Sequence, residues 1–194
     1  MPRHTLRWAL ALGALLGAPL FATTVVPADL GELAATAHVI VHGHVSEIGA
    51  RAVPNRRAIE RIVTVQVERY FKGDLGTEIR FRVPGGELGQ YRTVMIGAPQ
   101  FNEGDEVVLF LGQRGSATPY ILGLSQGLYR VVPGAAPGSR VVLPAVVVTS
   151  GELDEPVAVR RGDRFRRPTP FTEFTATVER LVIDRGAGNE GMGR

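Results

Sequence analysis

The chain has 194 residues and no cysteine. Disulfides, thiolate metal sites and a lipid anchor on an N-terminal cysteine are therefore excluded. Lys72 is the only lysine and Trp8 the only tryptophan. The four histidines, His4, His38, His42 and His44, all lie in the first quarter of the chain. The longest apolar run, from Trp8 to Phe21, has 14 residues. A membrane-spanning helix needs about 20. No motif recurs at a fixed period, which excludes solenoid and propeller architectures. Stability must come from burial and hydrogen bonding alone.

What the first residues do contain is a basic head, Arg3, His4 and Arg7, followed by that apolar run and then Ala22. A basic head, a short apolar core and a small residue are the features a signal peptidase reads. The expected organisation is a signal peptide over 1–22, one domain over 23–185 and a disordered tail over 186–194. The expected location is the periplasm or the exterior. The formal charge of +3 falls to +1 once Arg3 and Arg7 are removed. One basic cluster stands out: Arg160, Arg161, Arg164, Arg166 and Arg167, interrupted by Asp163. It has Phe165 but no spaced aromatics for stacking bases, so it reads as a solvated linker rather than a nucleic-acid surface.

Asp29 followed by Glu32 predicts a capping box and a short helix from Leu30 to Ala37. The period then switches to two. Val39, Val41, Gly43 and Val45 share one face of a strand; His38, His42, His44 and Ser46 share the other. Residues 50–58 read as a polar loop. Strands follow at 59–71, 78–83 and 91–96, with Ile79, Phe81 and Val83 inward. Glu106 to Leu111 is a continuous apolar run, as in a strand buried on both faces. Segments 120–124 and 128–132 read as a hairpin around Ser125. Residues 140–149 read as one or two further strands. Phe171, Phe174, Val178, Leu181 and Val182 form the stripe of a C-terminal helix reaching about Asp184. Short strands with helices only at the ends predict a mostly β barrel or sandwich.

Three strand words carry a resemblance: His38-Val-Ile-Val-His-Gly-His-Val45, Val65-Gln-Val-Glu-Arg-Tyr-Phe-Lys-Gly73 and Phe101-Asn-Glu-Gly-Asp-Glu-Val-Val-Leu-Phe-Leu111. Residues 38–112 resemble exported OB-fold domains of the tissue-inhibitor-of-metalloproteinase and netrin-module type. They are also similar to uncharacterised bacterial exported proteins with the same strand words. The resemblance implies an OB-like Greek-key β-barrel, with a short N-terminal and a C-terminal helix, serving as an interaction module. The inhibitors of that family bind a protease zinc through an N-terminal cysteine. Without a cysteine, that mechanism has no residue to stand on here.

Gly123-Leu124-Ser125-Gln126-Gly127 spells the Gly-x-Ser-x-Gly of a nucleophile elbow. The elbow requires a strand-to-helix turn and a later histidine. No histidine follows Ser125, so a hairpin turn is expected. The glycine-rich segment 84–89 lacks the Lys-Ser/Thr end and the helix of a phosphate loop; it reads as a loop at the barrel mouth. Asp29 and Glu32 read as a cap, and Glu103, Asp105 and Glu106 as a turn with its edges.

His42 and His44, two apart on one strand face, are weak candidates for a shared metal. Glu47, Glu60 and Glu68 are the candidate third ligands, and the competing expectation is a solvent-facing strand. The expected function is a non-enzymatic exported protein-binding module, with no catalytic residue and no cofactor. Its partner is expected to be another exported protein, not nucleic acid. The 50–58 and 84–92 loops are expected to bind. The alternatives are a metal-dependent hydrolase using His42 and His44, or a structural envelope component.

Overall fold

The computed structural model describes residues 28–145 and 164–190. The expected signal peptide, the 146–149 strand, Arg160, Arg161 and the last four residues lie outside these.

Helix α1 (Leu30–Thr36) opens with the expected capping box. The Glu32 amide donates to Asp29 Oδ1 at 2.7 Å, and the Asp29 amide donates to Glu32 Oε2 at 3.1 Å. Two otherwise orphaned N–H groups are thereby satisfied. Leu30, Leu33 and Ala34 face inward.

Strands β1 (Val39–Ala52) and β2 (Ile59–Lys72) form a long antiparallel pair, and β3 (Glu78–Pro84) lies on the other edge of β2. The segment expected as a loop and a strand is a small separate hairpin, β4 (Gly86–Leu88) and β5 (Tyr91–Thr93). Val94, Met95 and Ile96 are left outside it. Strand β6 (Glu106–Gly112) lies antiparallel to the first half of β1, on the edge opposite β2. The chain is mostly β, with one large mixed sheet and a helix towards each end. No helix among the described residues is long and apolar enough to cross a membrane.

Strands β7 (Tyr120–Ile121) and β8 (Leu128–Pro133) do not pair with each other as a hairpin. They follow one another along the same edge of β6, and β7 also meets β3 in parallel at Arg82 and Tyr120. The intervening turns hold Gly123 and Leu124 at positive φ. The buried amide Gln126 explains why: its Oε1 accepts from the Ala28 amide at 2.6 Å and from Arg166 Nη2 at 3.1 Å. A simple two-residue turn would not bring Gln126 to the α1 entrance. Arg166 also donates to the Ala28 carbonyl at 2.6 Å. At Arg166 the expected solvated linker is therefore a tether instead.

Strand β9 (Arg140–Pro144) adds to β8, and the two-residue β10 (Thr169–Pro170) adds to β9. Helix α2 (Phe171–Glu190) starts directly from β10.

Alternation along β1 and β6 divides the apolar residues between two cores. Val39, Val41, Val45, Val107, Leu109 and Leu111 enter one, with Val63, Val65, Phe81 and Val83. Ile40, Val108 and Phe110 enter the other, beneath both helices, with Tyr129, Phe174 and Val178. The expected continuous apolar run at β6 is thus required by burial on both faces.

Gly43 is held by close approach. A Cβ there would collide with the Gln66 carbonyl oxygen and stand 2.9 Å from Val65 Cγ1. On the same strand, a Cβ at Gly49 meets nothing within 4 Å. Gly43→Ala should therefore lower unfolding stability by about 2 kcal/mol or more, while Gly49→Ala should change it by less than about 0.5 kcal/mol. Urea unfolding followed by circular dichroism checks both values.

Candidate metal centre and binding cleft

On the face of β1 that looks towards the helices, Ile40 is followed by His42 and then His44. Contrary to the expectation of a solvent-facing strand, His42 is buried, at 4% exposure. The cover is Phe171, whose ring lies 4.9 Å from the imidazole. The Arg140 guanidinium caps the same ring at 4.1 Å. Because β10 lies beside β9, the first residue of α2 is delivered to this spot. His44 remains half-exposed.

Two carboxylates flank the histidines, one from each neighbouring strand. Glu106 begins β6 directly opposite His44, and its Oε1 lies 2.8 Å from His42 Nε2. On the other side, Glu68 Oε2 lies 3.2 Å from His42 Nδ1, and Glu68 Oε1 lies 3.0 Å from His44 Nδ1. His44 Nε2 and Glu106 Oε2 stand 4.0 Å apart. Candidate ligand atoms of His42, Glu68 and Glu106 all fall within 4.8 Å of one another. Arg140 Nη1 donates to Glu106 Oε1 at 2.6 Å and fixes that carboxylate.

Glu68 reaches both histidines through a bulge. The pairing of β1 with β2 goes from His42 opposite Arg69 to Gly43 opposite Val67, which leaves Glu68 as the extra residue. A bulge re-aims a side chain and bends the strand, and bulges are enriched next to functional sites.

Of the three candidate third ligands, only Glu68 joins the cluster. Glu60 is tied to Arg51 at 2.8 Å, and Glu47 is exposed further along β1. Glu106, expected to be merely the edge of a turn, belongs to the site. Its neighbour Asp105 does serve the turn, accepting from the Asn102 amide at 2.8 Å and pairing with Arg130. His38 is exposed, precedes β1 and joins nothing here. Ser125 is buried in the turns between β7 and β8, not at a helix start, and all histidines of the described chain lie on or beside β1.

A second feature lies at the other end of β2. A cleft of about 470 Å³ is lined by residues of both expected binding loops: Val53, Arg56 and Ala58 from one side, Pro84 and Gly85 from the other. Met95 and Leu124 are also in its wall, and Glu60 and Arg82 in its polar part. Thr93 and Met95 of its wall belong to a segment with the exposed apolar side chains Tyr91 (69%), Val94 (71%) and Ile96 (78%).

Arg61 holds this region in place. It donates to the Pro99 carbonyl at 2.8 Å, to Gln100 Oε1 at 2.9 Å and to the Gly85 carbonyl at 3.3 Å. Partial burial lowers its pKa from the usual arginine value, through desolvation. Arginine keeps its charge in proteins all the same, so the three acceptors stay occupied.

Comparison with family models, with curated proteins and with solved structures found no match.

Arg61→Met should free the base of the hairpin while leaving the sheet intact. Amide hydrogen exchange should rise roughly tenfold or more across residues 85–100. Exchange in β6 should be unchanged.

Proposed function

We propose that this chain is a non-enzymatic, exported protein-binding module that grips an extended segment of another exported protein in the cleft at the end of β2. One observation carries the reading: loops 53–58 and 84–96, far apart in the sequence, meet around one concave surface, and the second loop carries exposed apolar side chains. Soluble proteins seldom expose such clusters without an interaction to serve, because each is a standing aggregation hazard.

The charge around the cleft specifies the partner further. Arg56 and Arg82 line it, and Glu60 is already neutralised by Arg51. An apolar segment with one or two carboxylates is the complement. The exposed Leu88, Tyr91 and Ile96 would bury its apolar side chains.

The circuit of strand pairings supports an OB-like barrel beneath this surface. β1 pairs with β2, β2 with β3, β3 with β7 in parallel, β7 with β6, and β6 returns to β1. OB-type barrels bind through loops and one face. The basic head and apolar run of the first 22 residues support export.

The hydrolase alternative is favoured by the two carboxylates around His42 and His44. It is disfavoured by Phe171, which leaves only the His44 and Glu68 side for a substrate.

Selection from a random 12-residue peptide phage library, using the purified chain as bait, tests the cleft. Apolar peptides carrying Asp or Glu should be enriched. Tyr91→Ser with Ile96→Ser should weaken the selected peptides at least about tenfold, or about 1.4 kcal/mol, at unchanged melting temperature. Enrichment no better than random, or binding indifferent to that double variant, would refute the cleft reading.

A further inference from the structure

We infer that His42, His44, Glu68 and Glu106 form a binding site for one divalent cation of the zinc class. The inference does not rest on the role of the cleft, and a failed peptide selection would leave it standing.

The hydrogen-bond count calls for added positive charge, which a metal ion or an extra proton on an imidazole supplies. A neutral imidazole has one N–H donor and one bare nitrogen, and an ionised carboxylate only accepts. The two histidines bring two donors. Three of their ring nitrogens lie 2.8, 3.0 and 3.2 Å from carboxylate oxygens. At least one of these contacts sets acceptor against acceptor unless further positive charge enters. Arg140 compensates one of the two carboxylates, and one negative charge is left over.

His42 makes this shortage costly. It is buried at 4% exposure, so water cannot make good a missing partner. A metal ion meets the need in one step, by taking lone pairs from imidazole and carboxylate together.

The geometry suits such an ion. Tetrahedral ligands at 2.0–2.1 Å from zinc stand about 3.3 Å apart. Each residue offers one ligand atom to the ion, and atoms taken one each from His42, Glu68 and Glu106 lie within 4.8 Å of one another, with His44 Nδ1 3.0 Å from Glu68 Oε1. Imidazole with carboxylate, and no thiolate anywhere in the chain, is a donor set for zinc rather than for soft metals. His42 binds through one nitrogen and donates its other N–H to a flanking carboxylate, the usual outer partner of a metal-bound imidazole. Arg140 holds Glu106 in the same manner.

Two features of the fold point the same way. The bulge that frees Glu68 from strand pairing sets its carboxylate between the two histidines. His44 and Glu68 are 44% and 47% exposed, which opens one side of the cluster to an arriving ion. The bound ion would tie together β1, β2 and β6 directly beneath the start of α2, so binding should also stabilise the fold.

The test is titration calorimetry of the purified, chelator-stripped chain with zinc chloride at pH 7.5, repeated with cobalt(II) to read visible absorption from the ligand field. One site per chain is expected, with Kd of about 1 μM or tighter and a melting temperature raised by at least about 4 °C at saturation. His44→Ala and Glu68→Gln alter half-exposed side chains, and each should weaken zinc about tenfold or more. Their metal-free melting temperatures should stay within about 2 °C of the parent. His38→Ala should bind as the parent does. The inference is overturned by the absence of saturable stoichiometric binding. It is equally overturned by zinc binding that persists unchanged in a His44→Ala, Glu68→Gln double variant, which would put the ion elsewhere.

Discussion

Everything in this fold depends on the stretch of β1 from Ile40 to Gly43 being enclosed on all sides. It is hydrogen-bonded to β2 on one edge and to β6 on the other. Its two faces look into two different cores. The backbone groups are therefore satisfied by the ladders, and each side chain must be either apolar or provided with a polar partner. Ile40 and Val41 meet the first condition. Gly43 meets it by having no side chain where the Gln66 carbonyl approaches. His42 is the exception, and the polar apparatus of the molecule is gathered around it: Glu68, Glu106, Arg140 and the ring of Phe171.

Burial of a histidine in such a place is expensive. Leaving its ring nitrogens unpaired would cost on the order of 1–3 kcal/mol each. A valine at position 42 would pack against Phe171 without that liability. The cluster is therefore hard to account for by stability alone, since an apolar face there would serve the sheet as well. A function that needs imidazole and carboxylate together accounts for it better.

The strands were legible where alternation was strict. The inward set Ile79, Phe81 and Val83 and the doubly buried run of β6 follow from burial pattern alone, and the α1 cap follows from Asp29 and Glu32. The two histidines could be named as neighbours because a strand repeats every two residues. Their carboxylates could not be chosen. Which glutamate faces β1 depends on a bulge at Glu68, and an irregularity of register leaves no mark in hydrophobic period. Glu106 stands 62 residues from His44 and comes opposite it only through the β1–β6 pairing. The turns between β7 and β8 were misread for a related reason. Tyr120 and Leu128 flank a short glycine-containing stretch, which locally resembles a hairpin, but both segments are claimed by the edge of β6. A long-range partner overrode the local signal.

The cleft and the cluster share β2 but sit near its opposite ends, at Ile59–Glu60 and at Glu68. Eight residues of strand separate Glu60 from Glu68, or roughly 25 Å at the rise of an extended chain. No side chain of the cluster lines the cleft. At that distance, with no partner in common, their contributions should add rather than couple. Substitutions in the apolar face of the hairpin should therefore leave the histidines undisturbed. The histidine face, pinned by β1, β2, β6 and α2 together, has no such freedom. Its chemistry is set by the same contacts that pack the sheet against its second core.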